Sequence, residues 1–578
     1  MPINKLLLSS IILIILIQLL IFNFVYPISP LDLGYYLSKS LETHLFYKKN
    51  GLQIQWWSPA FGGGLPSFPN PQQTQFSFIQ LFLFLVNPWI AICLDIAIFS
   101  FVGFFGAFIL FFRICKFEIN NSIVFAALFI FSGFQIQHLI VGHQFFQLFV
   151  LLPLIIYFAF HPKFLISVCT NALIITYFIY NAGFYPLFAC MLSAPISMII
   201  INVLFVREGS DKLLLKSLLK LSLSVFFALL IGASKISGMM HLMRFFERDL
   251  QFFYGQSFWE CLFFVFNQLF LIQGLGLFAN IQMINSWLGN GMHEKDVSIS
   301  PVFFLLFVYW VYSYHVKNKK FKFTLNKINQ NIIGLVLFIA LIIISFSIST
   351  TYGIIYPFLK SLPIIKSFSS VIRFTVIFVL PLILFLSYLI ENSKINFGKI
   401  STIVLISLAS VIYTVTYVKS SIYYSNDTPN YIFRFNPDEL TSIWEKIQKD
   451  PNSINVDSLV NLKDPLPMIQ NSSSAYFNDP IFWSNMDKVH PKVEIGTVGK
   501  IENGCYNMTN PASLVFPEEN NLKMWDRISV KDKENFERFR NYKTTNWKLP
   551  LIQILANWVS AFTLICTILL LFLTNKRF

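Results

Sequence analysis

An aspartate, Asp32, stands about five residues beyond the first apolar run, in Ser29-Pro30-Leu31-Asp32-Leu33-Gly34-Tyr35-Tyr36. A carboxylate at headgroup depth between two leucines is costly to ionise, and that cost raises its basicity toward what a general base needs. The same position also suits the N-terminal acid of a short surface helix over 32–45. Behind it come Gln55-Trp56-Trp57-Ser58-Pro59 and Gly62-Gly63-Gly64-Leu65-Pro66, then Asn70-Pro71-Gln72. Trp56 and Trp57 suit the aromatic belt of a bilayer, and their faces also stack on sugar rings. The glycine triplet could bring backbone N–H groups to a phosphate. Asn70 and Gln72 lie in the same polar loop and are candidate substrate contacts.

His138 and His143 form a second pair, in Gln137-His138-Leu139-Ile140-Val141-Gly142-His143, expected in a short turn between two spans. Five residues apart, they can share a site, but they lack the i, i+4 spacing of a helix-borne metal site, so hydrogen bonding to substrate or a plain interfacial loop fits better than metal binding. Cations are sparse on that side. Arg244 sits in an expected surface helix, 235–254, with Glu247 and Asp249 to pair with. Lys366 and Arg373 flank the start of a late span, where an Arg either snorkels or pairs with a carboxylate or a lipid phosphate.

The elements that must carry these residues follow from composition. The chain has 578 residues, 55% hydrophobic and only 12% charged, with 66 Phe and a mean hydropathy of +0.62, values that exclude an ordinary soluble protein. Apolar runs of spanning length fall near 5–27, 90–112, 121–135, 145–160, 164–180, 184–206, 216–233, 300–315, 332–350, 371–391, 399–418 and 551–574. An all-α polytopic membrane protein with about twelve transmembrane helices is therefore expected, with 75–87 and 259–275 as re-entrant or surface helices. The net charge of +14 invites a nucleic-acid reading, but 17 of the 29 acids and only 16 of the 43 bases lie in 419–549, so the excess belongs to the membrane part. Arg113, Lys116, Arg207, Lys317 to Lys327, Lys576 and Arg577 then mark cytoplasmic loops, with both termini inside.

Three regions result: a membrane module over 1–418, a segment over 419–549 with turn signals and balanced charge that reads as a small mixed α/β extracytoplasmic domain, and a final helix and tail over 550–578. The first helix reads as a retained anchor, since no small-x-small site precedes Pro27. The seven cysteines contain no CxxC pair, and only Cys505 falls in the 419–549 segment, so no disulfide is expected there. No P-loop, Rossmann fingerprint, metal-ligand spacing or internal repeat is present.

The order of features resembles the GT-C superfamily of integral-membrane glycosyltransferases, in particular the bacterial branch of lipoteichoic-acid-glycosylating proteins and large arabinofuranosyltransferases. The matching pieces are helix 1 followed by Asp32, Trp57-Ser58-Pro59 leading to Gly63-Gly64-Leu65-Pro66 and Asn70-Pro71-Gln72, then Ser132-Gly133, Gly142-His143, Pro153 and Arg373-Phe374. The likeness covers the first 160 residues well and the middle loosely, and the 419–549 segment lies outside it. The resemblance implies an inverting transferase in a bacterial cytoplasmic membrane, its active site on the outer side. It takes a polyprenyl-phosphate-linked sugar as donor and a glycan, lipid or protein as acceptor. Asp32 takes the general-base position, and Arg373 would stabilise the leaving phosphate. No acid adjoins Asp32, which argues against a metal held by paired aspartates.

Two other classes use the same residues. A polymerase or ligase of lipid-linked glycans would share the substrate but calls for a larger Arg-rich outer loop. A transporter or flippase would use Asp32 and Arg373 as gating charges, but outer loops crowded on one face favour a site open to one side.

Overall fold

The computed structural model describes residues 5–25, 33–206, 211–246, 297–317, 355–361, 371–427, 437–460, 471–474 and 493–575, with single residues inside 258–269 and 339–347. Asp32, Lys366, Glu247, Asp249 and most of the expected 332–350 span lie outside them.

Among the described residues, seven helices are long and apolar enough to cross a membrane. They are Lys5–Asn23, Pro88–Ile114, Phe184–Leu204, Asp211–Ile231, Arg373–Asn392, Lys399–Val418 and Leu551–Thr574. The chain is thus an α-rich polytopic membrane protein. The expected 121–135 run is a bent pair, α5 (Ile119–Ile130) and α6 (Gly133–Ile140), turned by 41° at Ser132. The runs at 145–160, 164–180 and 300–315 form shorter apolar helices. The Arg373–Asn392 span is 94% buried, whereas Leu551–Thr574 is only 11% buried, so the first is the centre of the bundle and the second its rim.

Helix α1 (Lys5–Val25) packs on α4 (Pro88–Ile109), which also meets α5 and α7 (Leu152–Phe160). Helix α4 starts where Asn87 accepts a hydrogen bond from Ile90 N at 2.9 Å and Pro88 occupies the first turn, a strong local start signal. Before it, α3 (Phe78–Phe82) is one turn capped by Ser77, a short helix on α4 where a re-entrant or surface helix was expected. Helix α8 (Phe164–Tyr180) packs on α10 (Asp211–Ile231), and α9 (Phe184–Leu204) on the Val379–Asn392 helix.

Helix α2 (Leu33–Asn50) differs from expectation in one respect: every residue from Leu33 to Tyr47 is buried, so it is an interior helix rather than a surface one. It stops at Gly51, whose φ of +75° suits the left-handed position after a helix end, while Lys48 and Lys49 complement the dipole of the last turn. What covers it is the segment before the last helix. There, the helix Pro437–Lys449 carries Trp444 and Gln448 onto Leu83 O, at 2.8 and 3.3 Å. Lys49 Nζ donates to Ile454 O at 2.6 Å and Asn541 O at 2.9 Å.

The strands are short. β1 (Trp57–Ser58) pairs antiparallel with β2 (Leu65–Pro66). β3 (Ser458–Val460) lies between a parallel β4 (Ser472–Ser474) and an antiparallel β5 (Gly496–Thr497). β7 (Cys505–Thr509) lies between β6 (Ile501–Glu502) and β8 (Arg527–Ser529), both antiparallel.

Candidate functional site

The histidine pair is built by a helix ending. Helix α6 closes with Gly142 at φ +80°, Gly142 N bonding Leu139 O at 3.3 Å and His143 N bonding His138 O at 2.9 Å. This glycine-terminated turn folds the residue after the glycine back over the last helical turn. The imidazoles therefore meet, Nδ1 to Nδ1 at 3.0 Å, and both are buried. At that distance one ring donates and the other accepts, so the pair holds one proton between its facing nitrogens. The expected short turn between spans is thus a buried helix end.

Phe146 forms the floor. Its ring stacks on His138 at 3.9 Å between centroids and on His143 at 5.2 Å. Arg373, opening a 3₁₀ turn over Val371–Phe378, places its guanidinium 5.2 Å from the Phe146 centroid and 5.5 Å from that of Tyr185. Tyr185 in turn stacks on Phe374 at 5.0 Å. A planar cation laid on aromatic faces is a group suited to meet an oxyanion, and it stands over the same Phe146 ring as the imidazole pair.

The start of α2 joins this cluster. A Cβ at Gly142 would stand 2.6 Å from both Leu33 N and Leu33 Cβ, so the first residue of α2, immediately after Asp32, is pressed against the turn that carries His143. One turn on, Tyr36 packs edge-on to Phe145 at 5.1 Å, and Phe145 meets Phe146 at 4.7 Å. Three of the expected features, the start of α2, the histidine pair and Arg373, thus share one aromatic floor. Composition gave no hint of Phe145, Phe146 and Tyr185 among 66 phenylalanines and 23 tyrosines.

Other expected site residues lie elsewhere. Trp57 is 8% exposed and packs edge-on to Trp547 and Phe516, at 5.6 and 6.2 Å, and Trp56 meets Phe68 at 5.0 Å. They are not belt anchors; they line a cavity of about 390 Å³ with Phe539, Tyr542 and Lys543. The glycine triplet does not cradle a phosphate: Gly62 N donates to Ser474 O at 2.8 Å, Gly63 N to Ser473 Oγ at 3.1 Å and Gly64 N to Phe61 O at 2.9 Å. Their positive φ angles and close contact with Thr509 O fit a docking loop. Asn70 turns its Oδ1 onto Gln72 N at 2.8 Å, a local turn bond. Arg244 pairs with Glu518 across to the tail segment at 3.1 Å, both largely exposed.

A buried charge cluster went unread in the sequence. Glu42, within the helix expected at the surface over 32–45, is 1% exposed and accepts from Ser58 Oγ at 2.7 and 2.8 Å and from Ala60 N at 3.4 Å. Burial pushes its carboxyl up to about 7, against the pull of Ser58, Ala60 and Lys39. Lys39 bonds Tyr35 OH. Lys235, expected on a surface helix, is buried in α11 (Ala233–Met243), its Nζ donating to Phe68 O at 2.6 Å and Asn70 O at 2.7 Å. Burial, then repulsion from Lys39, holds that amine well below its usual range. This cluster clamps the 55–70 loop to α2 and α11.

A scan of protein-family models, a search of curated proteins and a search of solved structures each found no match to this chain.

Proposed function

We propose that the protein is a glycosyltransferase of GT-C type that moves a sugar from a polyprenyl-phosphate donor to a cell-envelope glycan, lipid or protein. The reading includes about twelve spans, an outward-facing site in a bacterial cytoplasmic membrane, and an extracytoplasmic α/β domain over 419–549. One observation carries it: the α2 start next to Asp32, the His138–His143 pair and Arg373 meet on a single aromatic floor at the head of the most buried span.

In this mechanism Asp32 removes the acceptor hydroxyl proton as that oxygen attacks the anomeric carbon. The bond from that carbon to the lipid phosphate breaks on the opposite face and the configuration inverts. The phosphate leaves with the bonding pair, its charge met by Arg373, and needs no general acid. Asn replaces Asp almost isoenergetically as a helix cap, so Asp32→Asn separates the two roles of that residue. The full chain in lipid nanodiscs, supplied with polyprenyl-phosphate sugars, should lose roughly 10²–10⁴-fold in turnover on this change with folding intact. A near-normal rate in the variant removes the assignment.

A further inference from the structure

Asp95 lies inside an apolar helix, seven residues past Pro88, and is 4% exposed. No hydrogen bond or ion pair to its carboxylate exists among the described residues. An ionisable group placed in a membrane span without an ion-pair partner is costly and marks a site where polar matter is handled. Its side chain lines a small cavity of about 30 Å³, room for one or two hydroxyl-sized groups.

The other polar groups of that cavity are likewise unspent. Gln144 Nε2 and Asn181 Oδ1 are buried without a hydrogen-bond partner, the Asn181 amide nitrogen being used on Tyr177 O at 2.9 Å. The Tyr177 hydroxyl accepts from Phe78 N at 3.1 Å, which leaves its proton to donate. The lining thus offers acceptors at Asp95 and Asn181 and donors at Gln144 and Tyr177. A bare cation would meet donors, and an anion would meet the carboxylate. A hydroxyl group, which donates and accepts at once, satisfies both sets. Tyr36 and Phe145 wall the cavity, and the same two rings lead to Phe146 and Arg373. A ligand anchored by an oxyanion at Arg373 therefore has a hydroxyl-binding recess one aromatic layer away.

We propose that the Asp95 cavity is the subsite that receives hydroxyl groups of the donor's glycosyl unit, a deepening that rests on the transferase reading above. The carboxylate of Asp95 accepts from a sugar hydroxyl, and Gln144 and Tyr177 donate to its oxygen.

The test uses the full chain in nanodiscs and dicyclohexylcarbodiimide, an apolar reagent that modifies membrane-buried carboxyls, with Asp95 labelling read by peptide mass spectrometry. The probes are polyprenyl-phosphate glucose, galactose, mannose, N-acetylglucosamine and arabinose, against polyprenyl phosphate without sugar. At least one glycosyl lipid should slow Asp95 labelling severalfold, and the bare lipid phosphate should not. Asp95→Asn should weaken retention of that glycosyl lipid roughly ten- to hundredfold, as expected for losing a charge-assisted hydrogen bond, with retention of bare polyprenyl phosphate unchanged. Equal protection by bare lipid phosphate, or no protection by any glycosyl lipid, overturns the subsite. Transfer of the same sugars is measured in parallel. Protection without transfer keeps the subsite and removes the transferase reading, whereas transfer without protection does the reverse.

Discussion

Glu42 gives the most direct quantitative test of the interior of this molecule. Its carboxyl is buried beneath Ser58 and Ala60, and burial raises it from 4.5 to about 7. A carboxyl that binds its proton more tightly when folded contributes stability that is fully present below about 4.5 and is lost as the pH rises through about 7. At about 1.4 kcal/mol per pH unit, the difference between those values amounts to about 3 kcal/mol. Glu42→Gln keeps a side-chain oxygen for Ser58 and Ala60 and removes the titration. The free energy of unfolding, measured in mixed micelles for wild type and variant from pH 4.5 to 8, should therefore diverge. The two proteins should match at the acid end, and the variant should be the more stable by about 3 kcal/mol at pH 8. Taking the difference between the two proteins cancels every other titrating group. A gap that does not change with pH would mean that Glu42 stays ionised in the folded protein or meets water there, and would refute the burial argument.

Two further outcomes follow from the site geometry. Gly142→Ala forces a side chain into a left-handed position and onto the backbone of Leu33, at a combined cost of roughly 2–5 kcal/mol, so its thermal midpoint should fall well below wild type; an unchanged midpoint contradicts the packing of α2 on this turn. On the transferase reading, Arg373→Ala should raise KM for a polyprenyl-phosphate donor as well as lower kcat, because the proposed phosphate contact would act before and during the reaction, with Arg373→Lys intermediate since it keeps charge but not the flat stacking; a fall in kcat alone would exclude the donor contact.

The seven long apolar helices were legible because spanning length and apolarity are local properties, and Asn87-Pro88 even marks where α4 begins. His138, Gly142 and His143 were legible as residue types, and the glycine signals the turn that brings the rings together. That the turn is buried was not, because burial depends on Arg373 and Tyr185, far along the chain. The burial of Trp56 and Trp57 and the docking role of Gly62 to Gly64 were not legible for the same reason. Their neighbours Phe516, Trp547, Ser473 and Thr509 lie more than 400 residues away, and no local pattern encodes such a partner. Asp95 carried a usable sign, a lone acid within the apolar run expected over 90–112. Lys235 resembled an exposed residue of a polar-faced helix until the carbonyls of Phe68 and Asn70 proved to be its acceptors.

The bonds from Lys49 to the tail segment have a consequence for how the chain is made. Lys49 and Asn541 are 492 residues apart, and at about 5–20 residues per second roughly 25 to 100 s separate their synthesis. During that interval α2 and the 55–70 loop exist without Ser473, Thr509, Phe516 or Trp547 to cover them. Their paired tryptophans and open glycine loop are then bare, a state that invites wrong pairing or proteolysis. The late segment therefore acts as a closing piece for the earliest one, and a ribosome that stalls before Trp547 leaves behind a bundle whose first loop has no native place to rest.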